Sequence, residues 1–214
     1  VAIVLGKSMS WGQLRKPHNV PLTLLGAGLL WAGWYAFNGG SALAAGNSAA
    51  IVMVTTFVAT CAATLAWLLV EKFKDGHVTG VGAAAGAITG LVAITPACGA
   101  VSPVGAIILG LVAGAVCPFA VGLKAKFGYD DSLDVVGVHL VGGVVGTLMI
   151  GFLATDTMPN AINGVFYGGG FEQLWKQAIA AGAVMAYSFV VAYIIAFALK
   201  KTMGIRVPAE DEEK

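Results

Sequence analysis

The chain has 214 residues, of which 58% are apolar and only 11% charged, with a mean hydropathy of +0.85. A soluble domain carries about 25% charged residues, and so little charge does not cover a water-facing surface, so composition excludes a soluble globular fold. The net charge of +1, with basic residues in short clusters rather than along one face, gives no sign of a nucleic-acid partner.

Residues 1–20 read as the end of a preceding helix followed by a loop, because the sequence opens on the apolar run Val1 to Leu5 without a starting Met or a signal-peptide pattern. No Asp, Glu, Lys or Arg occurs between Lys16 and Glu71, nor between Asp75 and Lys124. Each gap holds two spans of roughly 20 residues, the number a hydrocarbon core of about 30 Å requires. In the first gap, Asn38-Gly-Gly-Ser41 through Gly46-Asn-Ser48 separates a helix over 21–37 from one over 49–70. In the second, Thr95-Pro-Ala-Cys-Gly99 to Pro103 separates 81–94 from 104–123. A fifth span over 133–154 follows Asp131-Ser-Leu-Asp134, whose side chains can cap a helix start, and a sixth covers 174–199. The transmembrane region is thus 21–199, with 200–214 as the start of a tail.

Lys and Arg set the expected orientation. They fall before span one (Lys7, Arg15, Lys16), between two and three (Lys72, Lys74), between four and five (Lys124, Lys126) and after six (Lys200, Lys201, Arg206). The intervening connections, 38–48, 95–103 and 155–171, have none. Both visible ends are therefore expected on the cytoplasmic side, and an even number of crossings agrees with that. Gly82-x-x-x-Gly86-x-x-x-Gly90, Gly110-x-x-x-Gly114 and Gly142-x-x-x-Gly146 place small residues on single helix faces, where backbones can approach. Cys61, Cys98 and Cys117 lack paired spacing and read as buried free thiols.

Two clusters carry chemistry. His139 follows Asp134 by about 8 Å along a helix, with roughly 22 Å of apolar helix still to come, so it lies inside the hydrocarbon zone. An ionisable group at that depth faces a cavity or the bundle interior, and its small neighbours Gly142, Gly143 and Gly146 leave room beside the ring. The competing reading is a neutral imidazole bonded to a neighbouring helix. His18 and His77 fall in connections and are expected to be solvated. The second cluster is Trp31 to Ser41 at the end of span one, where Leu30, Trp34 and Phe37 share a bulky face and Ser41 follows. Aromatic faces and a hydroxyl can receive a small cation. Trp31 and Tyr35 read instead as an interfacial belt.

Phe37-Asn-Gly-Gly-Ser41, Thr95-Pro-Ala-Cys-Gly99, Asp130-Asp131-x-x-Asp134-Val-x-Gly-Val-His139 and Gly204-Ile-Arg-Val-Pro208 resemble, in order, blocks of the Amt/Mep/Rh ammonium transporters. The resemblance runs from Lys16-Pro-His-Asn19 to Pro208 and implies an all-α membrane channel of eleven helices, two inverted repeats of five plus a long final helix. This chain would supply the second repeat and the final helix, in a homotrimer whose subunits each hold a pore. By resemblance His139 corresponds to the second of two pore histidines, Phe37 to the inner phenylalanine of the gate and Ser41 to the external-site hydroxyl. Leu30, Trp34 and Val135 correspond to pore-wall positions. Arg206 and Pro208 begin a regulatory tail at a face where PII signalling proteins can bind.

The resemblance implies transport of ammonium or ammonia across the plasma membrane, with no cofactor. A sensor on the same scaffold, or a channel for another small solute, is the alternative. No TVGYG filter or paired NPA box is present, and the spans offer one His and, with Asp134 at a helix start, no carboxylate at membrane depth for catalysis.

Overall fold

The computed structural model describes residues 1–12, 17–208 and 211. Arg15 and Lys16, the Lys16 end of the first resembling block, and Glu210, Glu212 and Glu213 of the acidic tail lie outside the described residues. Among the described residues the elements are helices: α1 (Ala2–Leu5), α2 (Val20–Gly40), α3 (Asn47–Asp75), α4 (Gly80–Ile94), α5 (Pro103–Phe127), a π segment (Val136–Leu140) that runs into α6 (Val141–Leu153), a short 3-10 turn (Val165–Tyr167) and α7 (Glu172–Thr202). Five of them are long and apolar enough to cross a bilayer, counting the π segment and α6 as one. The remaining apolar helix, α4, has 15 residues, about 22 Å.

The helix starts are made by side chains that satisfy otherwise unpaired backbone N–H groups. Asn19 accepts from Leu22 N at 2.9 Å, Thr79 from Gly82 N at 2.8 Å and Ser102 from Gly105 N at 3.1 Å. Pro21 and Pro103 stand in first turns, where a missing N–H costs nothing. Gly76 and Gly128 end α3 and α5 in the left-handed conformation, at φ 79° and 69°.

Small residues govern the packing. A Cβ on Gly110 would fall on the carbonyl oxygen of Ala59 and one on Gly114 on that of Ala63, while a Cβ on Gly90 would lie 2.6 Å from Thr60 Cα. Backbones of α4 and α5 thus touch α3 on two sides, the close approach small-residue repeats allow where apolar burial supplies no drive between helices. Gly146 brings α6 onto the Ala93 carbonyl of α4 in the same way. The buried core, including Ala59, Ile94, Leu109 and Leu153, lies among these four helices. Outside it, α2 buries only Ala27, Asn38 and Gly39, and α7 only Ala196. Their large exposed apolar side chains suit a hydrocarbon surround.

Two features differ from the sequence reading. Trp31 is not at the end of its helix, because α2 continues to Gly40; its ring packs on Phe57 at 6.0 Å. Residue Asp134 has φ 57°, so the fifth span begins after it rather than at 133, and enters through the π segment. Cys61, Cys98 and Cys117 are free thiols, the last two buried.

Apart from Lys176, which pairs with Glu172 at the start of α7, the described lysines gather at one end of the bundle. Lys200 Nζ donates to Val4 O at 2.5 Å, Ser8 N to Asp130 Oδ2 at 2.8 Å, and Lys124 Nζ pairs with Asp134. At the opposite end Val101 bridges Ala154, Asn160 N donates to Gly99 O at 2.9 Å, and Thr55 Oγ1 donates to Cys98 O at 2.8 Å.

Candidate functional site

Construction of the site starts at the basic end. Asp131 accepts from Val135 N at 3.0 Å and from Val136 N at 2.7 Å, one oxygen for each amide. Lys124 Nζ holds the same loop by donating to Asp131 O at 3.1 Å and to Asp134 Oδ1 at 2.5 Å. Gly137 then lets the π segment lie against α5, where a Cβ would sit 2.8 Å from the Val121 backbone. Single π turns relax the i−4 ladder and re-aim side chains. Here the turn carries His139.

The His139 ring opens on a cavity of about 520 Å³. Val92, Leu140, Gly143, Val144 and, from α7, Ala180, Ala181, Val184 and Met185 supply a largely apolar lining; Trp34, Thr95, Pro96 and Thr147 complete it. Nothing lies within 4 Å of a Cβ on Gly143, which leaves the space beside the ring open. Among the described residues His139 has neither a carboxylate nor another hydrogen-bond partner, so its nitrogens are available to whatever enters.

Trp34 is the second resembling residue at this cavity. Its Nε1 donates to Thr95 Oγ1 at 2.7 Å, and Thr95 Oγ1 donates in turn to Leu91 O at 2.7 Å. Phe37 lies against the other side of the indole, ring centroids 5.7 Å apart and tilted by 58°. A smaller cavity of about 220 Å³ lies at the end of the bundle opposite Lys124 and Lys200, lined by Ser41, Ser48, Cys98 and Asn160 among others. Thr95 and Pro96 line both cavities. Ser41 Oγ donates to Asn38 O at 2.6 Å, and buried Asn38 donates to Thr56 Oγ1 at 3.0 Å, which fixes the turn after α2.

The structure therefore brings His139 and Trp34 to one cavity and Ser41 to the other. Phe37, Leu30 and Val135 line neither: they are 65%, 51% and 48% exposed, on faces this chain leaves uncovered. Arg206 Nη1 donates to Leu5 O at 3.2 Å, and Pro208 O accepts from Asp211 N at 3.0 Å. His18 and His77 are exposed at the basic end. Sequence reasoning missed Thr95 as a partner for Trp34, and the α7 contribution to the cavity; the only signals for these were a Thr ahead of a Pro at a helix end and the small run Ala180-Ala-Gly182. Among the described residues no three His, Cys, Asp or Glu side chains gather as a metal ion would need.

The family model described as the Ammonium Transporter Family matches residues 1–214. An ammonium transporter of Mycobacterium tuberculosis (strain H37Rv) is 54% identical over 220 residues, covering 99% of this chain and 46% of that one. One from Bacillus subtilis (strain 168) is 42% identical over 214 residues, covering 99% and 52%. The crystal structure of Candida albicans Mep2 superposes with a TM-score of 0.90 at 37% identity, over 98% of this chain and 49% of that one. A structure named Sensor Amt Protein superposes with a TM-score of 0.87 at 32% identity, over 99% and 53%. The chain spans about half the length of the curated relatives it matches. With its apolar helices and this match across all 214 residues, the chain is a multi-pass membrane protein of the ammonium transporter family.

Proposed function

We propose that the protein carries ammonium or ammonia across the plasma membrane, with its lysine-rich end in the cytoplasm. The observation that carries this reading is an imidazole with no hydrogen-bond partner among the described residues, held by a transmembrane helix and facing an apolar cavity. Ammonium is close to potassium in size, so fit alone does not separate them, and a bare cation in an apolar passage is prohibitive unless its charge is lost or compensated. What ammonium has and potassium lacks is an acidic N–H. The aromatic face of Trp34 and Phe37 and the hydroxyl of Ser41 receive the cation at the outer end; neutral His139 then accepts a hydrogen bond or a proton from it. Leu30 and Val135 belong to the pore wall. We further assign the assembly as a homotrimer, with Arg206 and Pro208 opening a tail at the cytoplasmic face where a PII signalling protein binds.

The test is ammonium-driven flux in proteoliposomes of the full-length protein with His139→Leu. Among the described residues the ring forms no hydrogen bond, so assembly is expected to survive, and flux is expected to fall at least about tenfold, the cost of one lost buried acceptor. Wild-type flux in the assembled variant would remove His139 from the pathway. The likeness to the Sensor Amt Protein structure supports a second reading, ammonium sensing. Ammonium binding by the wild-type protein without flux would select it.

A further inference from the structure

Between the cavity that holds Ser41 and the cavity that holds His139 the shared wall is Thr95 and Pro96. Thr95 closes the end of α4, whose last turns include the fully buried Leu91 and Ile94, and Pro96 prevents the helix from continuing. Its hydroxyl is therefore set beside the buried core, and its own proton is committed to Leu91 O at 2.7 Å. That fixes the directions in which the oxygen accepts, and Trp34 Nε1 takes one of them at 2.7 Å. Trp34 itself rides on α2, which buries only three residues. The indole edge is thus tied to the core by one polar bond, while on the other side it meets the exposed ring of Phe37. Without that bond only apolar contacts would choose its rotamer, and these discriminate poorly between orientations.

We propose that the Trp34–Thr95 hydrogen bond is a latch that fixes the indole in the wall of the His139 cavity, beside the Thr95–Pro96 boundary with the Ser41 cavity, and so sets the size limit on the amine that passes; Thr95 is a specificity-determining positioning residue. The inference rests on the transport reading above. Thr95 has no proton to give the cargo, because its O–H is committed to Leu91 O, and its part here is to hold the indole. Loss of the hydroxyl leaves the indole N–H unpaired and the Leu91 carbonyl short of one donor, so the ring leaves its place for a fraction of the time and the passage widens.

The experiment compares methylammonium with ammonium flux in proteoliposomes of the full-length protein. Taken as a ratio, this readout does not change with the amount of folded protein. Thr95→Val is expected to raise the ratio about tenfold, the population shift from one missing hydrogen bond. Thr95→Ser, which keeps the hydroxyl, is expected to restore the wild-type ratio. Trp34→Phe removes the donor from the other side, and the double variant should exceed neither single variant, since both break the same bond. An unchanged ratio in Thr95→Val, no rescue by Ser, or additive effects in the double variant would overturn the latch while wild-type ammonium flux stands. No ammonium flux in the wild-type protein would overturn the transport reading, and the size limit with it.

Discussion

Asp131→Ala removes the carboxylate that accepts from both Val135 N and Val136 N, at 3.0 and 2.7 Å. A helix-start cap of one such bond contributes about 1 kcal/mol, and a charged acceptor strengthens it. Two bonds on a half-buried carboxylate give about 2–3 kcal/mol for the alanine variant. Asn keeps one of the two acceptor oxygens, so Asp131→Asn should lose about half of that. At roughly 2–4 °C per kcal/mol for a chain of this size, the apparent melting temperature of the purified protein should fall by about 4–12 °C for Ala and half as much for Asn. The functional consequence is larger than the stability change suggests, because the freed amides begin the π segment that aims His139 four residues further on. Ammonium flux per folded protein should therefore fall in the same order, wild type above Asn above Ala. Wild-type melting and wild-type flux in Asp131→Ala would show that the carboxylate does not hold this segment, and the account of how His139 is aimed would fail.

Two glycines one helical turn apart should behave oppositely. Gly146→Ala drives a methyl into the Ala93 carbonyl and should cost about 1–3 kcal/mol of stability by overpacking, read as lower detergent melting. Gly143→Leu meets nothing within 4 Å at its Cβ, so it should leave melting unchanged while filling the cavity beside His139 and lowering flux. At the basic end, deletion of residues 204–214 with everything downstream removes the Arg206 bond to Leu5 O and should lower ammonium uptake without loss of membrane expression, measured by uptake and immunoblot. Wild-type uptake in that truncation would remove the tail from control of the pore.

The spans were legible because charge is so expensive in hydrocarbon that the gaps from Lys16 to Glu71 and from Asp75 to Lys124 carry their own meaning. Helix starts at Asn19, Thr79 and Ser102 obey local capping rules, and the structure shows each of these side chains bonded to its own first turn. Trp31 was misplaced by a local cue of the opposite kind. Glycines after Phe37 suggested an early helix end, yet Asn38 is buried against Thr56 of α3 and carries α2 on to Gly40, which leaves Trp31 at midspan against Phe57. The π turn was not legible at all, since it depends on Asp131 and on the approach of Gly137 to Val121, sixteen positions earlier in the chain. Nor does local pattern say which side of α7 meets the cavity: apolar residues surround that helix, so no stripe marks its inner face.

The candidate site shows where that boundary falls. Hydroxyls within the spans are mostly spent inside the fold: Thr55 on Cys98 O, Thr60 on Thr56 O, Thr64 on Thr60 O, Thr95 on Leu91 O. Among the described residues two buried side-chain polar atoms, Trp31 Nε1 and Thr89 Oγ1, lack a hydrogen-bond partner, but neither residue lines either cavity. His139 combines what the others have singly, an ionisable ring at membrane depth, no hydrogen-bond partner among the described residues, and open space beside it. Depth can be counted from the sequence. The missing partner and the space depend on the whole set of neighbouring helices, so His139 was identifiable as a candidate from its position, whereas what it faces required the packing of α2, α4 and α7 around it.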